Sequence, residues 1–416
     1  MKAGFADPSV EFSTLVGMLG WRARQQPEQQ IHTYLLDGET EGDHLTHATL
    51  DCQARSIAAL LQSYRAGGER ALLLYPAGLE FVAAFFGCLY AQVIAVPLPP
   101  LNLSQPGRTL PRLRAIVSDA QPSVVLTTSA ILANTEALFT QAPELQKMRW
   151  LATDKVSGSL AQEWRDPAVT GNTVALLQYT SGSTAEPKGV IISHGNLLHN
   201  SAYISRLFPF NPKGVTVTWL PVYHDMGLTN GIIQPVFHGR PCYLMPAVSF
   251  LMRPVRWLQA ISRYQATISG GPNFAYEMCN RVITPEQRET LDLASWDVAY
   301  NGAEPIRTDT LKRFVATFAA RGFRSSAFHP SYGLAEATLL VSGGSLRDDM
   351  FCTIDAAALE QNVVVAAGAE QKNVRTLVSS GHALDDTKIV IAHPDSLTAC
   401  APDQVGEIWV SGPSVT

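Results

Sequence analysis

The chain has 416 residues, 46% of them hydrophobic and 16% charged, a globular composition long enough for a large core divided into subdomains. Its formal charge of −5 argues against a general nucleic-acid-binding surface. Six cysteines (Cys52, Cys88, Cys242, Cys279, Cys352 and Cys400) are scattered with no CxxC pair, so core thiols in a reducing compartment are expected, not disulfide staples or zinc ligands.

Residues 1–12 contain no long apolar core, and no signal peptide is evident. Mixed three- and four-residue apolar spacing predicts helices over 50–66 and 77–91, with strands beside them at 71–74 and 93–96. The apolar stretch 81–98 is interrupted by Gln92 and ended by Pro97, so it reads as a helix-to-strand change and not a transmembrane segment. Strand patterns continue at 124–126, 174–178, 190–192, 242–245 and 266–268, alternating with helical ones. That alternation predicts an α/β fold of largely parallel sheets with helices packed on them. After about residue 375 the pattern changes to short strands, 388–391 and 407–410, separated by polar turns. These predict a smaller β-rich subdomain. No internal repeat is apparent.

Residues 179–189 read YTSGSTAEPKG. A loop of small residues after an apolar strand lets backbone N–H groups converge on an anion. The hydroxyls of Thr180, Ser181, Ser183 and Thr184 add donors around Gly182, and Lys188 adds a positive charge. The plain alternative is a Ser/Gly-rich surface loop. It is not a Walker A loop, in which Lys follows the second Gly and precedes Ser or Thr. Four further motifs follow in order: WLPVYHDMGL at 219–228, NGAEP at 301–305, YGLAEAT at 332–338 and GEIWVSG at 406–412.

Together these stretches resemble the core motifs of the adenylate-forming superfamily, which includes acyl-CoA synthetases, peptide-synthetase adenylation domains and fatty acyl-AMP ligases. The wording of WLPVYHDMGL, the run 69–100 and the long spacing from Tyr332 to the turn at 378–381 favour the fatty acyl-AMP ligases. The resemblance implies the superfamily's N-terminal domain, with sheet-and-helix subdomains at about 1–200 and 201–344. A family-type insertion follows at 345–375, with Phe351, Leu359, Val363, Val364 and Val365 as apolar anchors, and then the start of the β-rich subdomain at 376–416. The family's ribose-binding Thr-Gly-Asp motif, hinge and mobile C-terminal domain with its catalytic Lys are not in this sequence, so a piece of a longer protein is expected.

The implied reaction joins a fatty acid to the α-phosphate of ATP and releases pyrophosphate. Glu336 is the expected Mg²⁺ ligand; standing alone, it would read as a helix N-terminal acid. Thr184 and neighbouring hydroxyls are expected on the β- and γ-phosphates, and Lys188 either pairs with phosphate or orders the loop through an acid. Tyr332, with Gly333 beside it, is expected to face the adenine, with Gly302 and Ala303 opposite. His224, beside Asp225, is expected near the acyl carboxylate and α-phosphate as a hydrogen-bond donor, since a carboxylate needs no general base at pH 7. The acyl cleft is expected among Met226, Gly227, Leu228, Ile232, Ile233 and the segment 270–274, which includes Gly271 and Phe274, as a region and not through any one of these residues. Gly270 and Gly271 either open a wall of that cleft or form a turn. The implied acceptor is an acyl carrier protein or a downstream polyketide or peptide synthase, in the cytoplasm. An acyl-CoA synthetase and a non-catalytic nucleotide- or acyl-adenylate-binding fragment are the alternatives.

Overall fold

The computed structural model of the protein describes residues 12–100, 106–180, 187–209, 211, 213–368 and 370–416. The chain divides into two units. The first holds residues 1–201 and 216–249 with Thr416; the second holds 202–215 and 250–415.

Among its described residues the first unit carries the strands β1 (Gln30–Leu35), β2 (Glu41–Thr46), β3 (Arg70–Leu73), β4 (Ile94–Pro97), β5 (Val124–Thr127), β6 (Arg149–Ala152), β7 (Val174–Thr180), β8 (Lys188–Ser193), β9 (Thr216–Thr218) and β10 (Cys242–Leu244). One sheet runs β6-β5-β3-β4-β7-β8, parallel except for the final β7–β8 pair. In the other, β9, β10 and β1 are parallel neighbours and β2 is antiparallel to β1. The predicted helices lie at His47–Ser63 and Leu79–Tyr90. Thr46 and Thr49 form a capping box at the start of the first. The second is buried at every residue except Glu80 in its first turn, as its nearly continuous apolar sequence requires. Gly87 makes their close crossing possible, because a Cβ there would lie 2.6 Å from Ile57. Burying Phe85 and Phe86 contributes about 1.5–3 kcal/mol each.

The second unit carries β11 (Ile268–Gly271), β12 (Val298–Asn301), β13 (Phe328–Gly333), β14 (Leu340–Gly343), β15 (Phe351–Asp355), β16 (Val374–Val378), β17 (Lys388–Ala392) and β18 (Glu407–Ser411). Strands β11, β12 and β13 are parallel, and β14 returns antiparallel to β13. Trp257, Tyr276, Trp296 and Phe328 form an aromatic cluster in this unit, in which Trp257–Trp296 and Tyr276–Phe328 meet edge-to-face with centroids 5.3 and 5.1 Å apart. The Tyr276 hydroxyl donates to the Tyr300 carbonyl at 2.8 Å, tying this cluster to β12 just before the NGAEP turn.

Two expectations need correction. Gly270 and Gly271 are strand residues, not a turn. A Cβ at Gly270 would lie 2.2 Å from the Tyr300 carbonyl, so glycine here answers to the close approach of β12. Within 345–375, Phe351, Leu359, Val363 and Val364 are only half-buried and Val365 is exposed. Leu346, Met350 and Ile354 are the buried anchors. The 363–366 stretch instead forms bridges, Val363 to Gln404 and Ala366 to Ile354, so its branched side chains serve an extended edge and not a core.

Candidate active site

In the first unit, β7 and β8 form an antiparallel hairpin in which Thr180 pairs with Lys188. The two residues close the base of the loop. Ser181, Gly182, Ser183 and Thr184 lie outside the described residues. Thr180 is half-buried and Lys188 exposed. The glycine of Pro-Lys-Gly has a local cause: Gly189 pairs with Tyr179, and a Cβ there would come 2.9 Å from the Tyr179 ring. The Tyr179 hydroxyl donates to Asp119 at 2.5 Å, and burial raises its pKa.

Beyond the end of β9, the Leu220 N–H donates to Thr218 Oγ1 at 3.2 Å. The His224 N–H closes a turn onto the Pro221 carbonyl at 3.0 Å, and the short helix Asp225–Leu228 begins with the Leu228 N–H donating to the His224 carbonyl at 2.8 Å. His224 Nδ1 lies 2.6 Å from Asp225 Oδ1, with the imidazole exposed and the carboxylate largely covered. That hydrogen bond raises the His224 pKa, against burial and the positive charge of Arg112. Asp225 thus holds the ring by its Nδ1.

Met226 and Gly227 are both buried. A Cβ on Gly227 would lie 2.0 Å from the Pro221 carbonyl oxygen, so the glycine is dictated by the turn that presents His224. A π-helical turn, Thr229–Ile233, follows, a distortion found most often near functional sites. An apolar cavity of about 220 Å³ is lined by residues including Tyr34, Phe81, Leu220, Val222, Tyr223 and Met245.

In the second unit, Gly271 ends β11 opposite Asn301, the last residue of β12. The NGAEP turn is bonded to the segment after β11: the Phe274 N–H donates to Glu304 Oε1 at 2.5 Å, and the Arg307 N–H to Asn273 Oδ1 at 3.1 Å. Phe274 itself is exposed. A Cβ on Gly302 would meet the Ser331 carbonyl at 2.9 Å. Ala303 adopts φ 69°, a left-handed conformation that costs a non-glycine residue energy and persists where the surroundings impose it.

Tyr332 lies half-buried in β13 opposite Ser342. Burial raises its hydroxyl pKa, and the charge of Glu336 adds to the shift. Gly333 admits no side chain, since a Cβ would fall 1.8 Å from the Leu339 carbonyl. Glu336 is exposed in the single turn Ala335–Ala337, not at the start of a longer helix. Among the described residues no group of three His, Cys, Asp or Glu side chains could hold a metal. A single exposed carboxylate outside any such group is still compatible with Mg²⁺, which takes one or two carboxylates and completes its shell with phosphate oxygens and water.

Residue reading passed over Gln178, whose Nε2 donates to the Tyr223 carbonyl. Its signal is a polar side chain inside an apolar strand. It also passed over Thr338, buried at φ 68°, whose hydroxyl donates to the Ser414 carbonyl at 2.7 Å.

The AMP-binding enzyme family matches residues 19–416. The medium-chain-fatty-acid–acyl-carrier-protein ligase JamA of Moorena producens is 48% identical over 412 residues, covering 97% of this chain and 69% of the relative. The ligase TtuA of Teredinibacter turnerae, of the same description, is 33% identical over 97% of this chain and 68% of its own length. The solved fatty acyl-adenylate ligase of Legionella pneumophila, in complex with acyl adenylate and pyrophosphate, superposes with a TM-score of 0.91 at 39% identity, covering 99% of this chain and 71% of that one. The chain belongs to the AMP-binding enzyme family. Within that family its place is among the fatty acyl-AMP ligases.

Proposed function

We propose that the chain activates a medium-chain fatty acid with ATP, forming acyl-adenylate and pyrophosphate, and that an acyl carrier protein accepts the acyl group. A carboxylate oxygen attacks the α-phosphorus, the bond to the β-phosphate bridge breaks, and pyrophosphate leaves. No proton need move, so the demands are alignment and charge stabilisation. The observation that carries the reading is that β7 ends at Thr180, directly before the sequence 181–186, that His224 follows β9, that Gly302 and Ala303 follow β12, and that Tyr332 and Glu336 lie at and after the end of β13. Carboxyl ends of strands are where α/β sheets receive ligands.

In this reading Thr180 and Lys188, with the loop they close, engage the phosphates. Gly302, Ala303 and Tyr332 receive the adenine. The imidazole of His224, steadied by Asp225, donates to the anion formed by the carboxylate and α-phosphate. Glu336 would hold Mg²⁺, which when bound neutralises phosphate charge. The setting is cytoplasmic, and a downstream synthase is the natural consumer of a carrier-bound acyl group.

The test is fatty-acid-dependent exchange of labelled pyrophosphate into ATP, followed by addition of either coenzyme A or a holo acyl carrier protein. Exchange and acyl transfer to the carrier alone support the reading. Thioester formation with coenzyme A instead identifies an acyl-CoA synthetase, and nucleotide binding without exchange identifies a binding module.

A further inference from the structure

Gln178 lies in β7 two residues before Thr180 and is 4% exposed. Its Nε2 donates to the Tyr223 carbonyl at 3.0 Å, joining residues 45 apart in the chain. Because a carbonyl can only accept, the amide orientation is fixed with nitrogen toward Tyr223. Oε1 is then buried with no partner among the described residues. A neutral hydrogen bond gains no more than an unpaired buried acceptor costs, so stability alone does not account for glutamine here.

Geometry does account for it. Tyr223 is the residue before His224, in the turn closed by the His224 N–H on the Pro221 carbonyl. The amide therefore ties this turn to the strand that runs into the phosphate loop.

We propose that Gln178 is a positioning residue: through the Tyr223 carbonyl it holds the His224 turn in register with the strand that delivers the phosphate loop. This rests on the adenylation reading, in which the carboxylate held near His224 must meet an α-phosphate placed by that loop. In-line attack tolerates little displacement, and an error of about 1 Å can cost about a hundredfold in rate.

The experiment compares wild type, Gln178→Leu and Gln178→Glu in the full chain. It measures single-turnover acyl-adenylate formation, nucleotide affinity, thermal midpoint and pH profile. The Leu variant is expected to lose about tenfold or more in rate, with nucleotide affinity within about twofold of wild type and a similar thermal midpoint. The Glu variant is expected to recover as pH falls, because a protonated carboxyl can donate to the Tyr223 carbonyl and a carboxylate cannot. Burial raises the pH at which that proton is held. A Leu variant within about twofold of the wild-type rate overturns the positioning role. So does a pH-independent loss in the Glu variant, which also decides the matter if the Leu variant does not fold. A wild-type chain that binds nucleotide yet forms no acyl-adenylate overturns the adenylation reading itself, and the role of Gln178 with it.

Discussion

Substituting Gly227 by Ala is expected to disable the chain through the backbone and not through the acyl chain. The added Cβ would sit 2.0 Å from the Pro221 oxygen, 2.6 Å from the Pro221 carbonyl carbon and 3.1 Å from the Leu220 oxygen, all backbone atoms. Ordinary contact begins at 3.4 Å, so the two segments must separate by about 1.4 Å. The Pro221 carbonyl also accepts the His224 N–H, so relief of the clash moves the residue that presents the imidazole. Overpacking of this kind costs about 1–3 kcal/mol of stability. A displacement of about 1 Å at a reacting group costs about a hundredfold in rate. The assay is single-turnover acyl-adenylate formation by mass spectrometry over a series of fatty acid lengths, with thermal denaturation alongside. Rates should fall together for all lengths in protein that still binds nucleotide. A folded variant whose rate drops only for long acids would show that Gly227 shapes the acyl wall, and one with an unchanged rate would show that the turn absorbs the methyl group.

Gly333→Ala places a Cβ 1.8 Å from the Leu339 carbonyl, so β13 and β14 must part beside Tyr332; weakened AMP binding in a calorimetric titration is expected, and unchanged affinity would contradict it. Glu336→Gln is expected to abolish Mg²⁺-dependent adenylation while leaving the thermal midpoint near wild type, because the side chain is exposed; near-normal turnover would remove Glu336 from the metal site. Burial is the main force holding the pKa values of His32, His47 and His238 down to about 3, about 4 and about 3, reinforced for His47 by the charge of Arg22 and for His238 by those of Arg240 and Arg22. The unfolded chain binds protons near pH 6.5 and the native chain does not, so this stabilisation is complete above that pH and is lost progressively as pH falls to about 4 for His47 and about 3 for His32 and His238. Thermal midpoints measured from pH 8 downward should decline below about 6.5, and a flat profile to pH 5 would refute the account.

The sequence made the motif positions and the α/β alternation legible because both are local. The helix Leu79–Tyr90 and the strand Lys388–Ala392 are readable from apolar spacing and β-branched residues. What it hid depends on neighbours distant in the chain. Gly270, Gly302 and Gly333 look like loop residues, yet each is fixed by a carbonyl from another strand or its flank. Gly189 is a strand residue under an aromatic ring, which no local pattern reveals. The valines at 363–365 carry the composition of a core but lie along an edge, and the buried anchors are Leu346, Met350 and Ile354. Gln178 gave a local signal, a polar residue in an apolar strand, but its partner lies 45 residues away.

The central claim is that a carboxylate oxygen attacks the α-phosphate of ATP. The most direct measurement uses a medium-chain fatty acid with isotopically labelled carboxyl oxygens, ATP, Mg²⁺ and a holo acyl carrier protein, with the products weighed by mass spectrometry. The account predicts labelled acyl-adenylate first, then AMP retaining one labelled oxygen after the thiol takes the acyl group. Unlabelled AMP, or ADP in place of AMP and pyrophosphate, would contradict it.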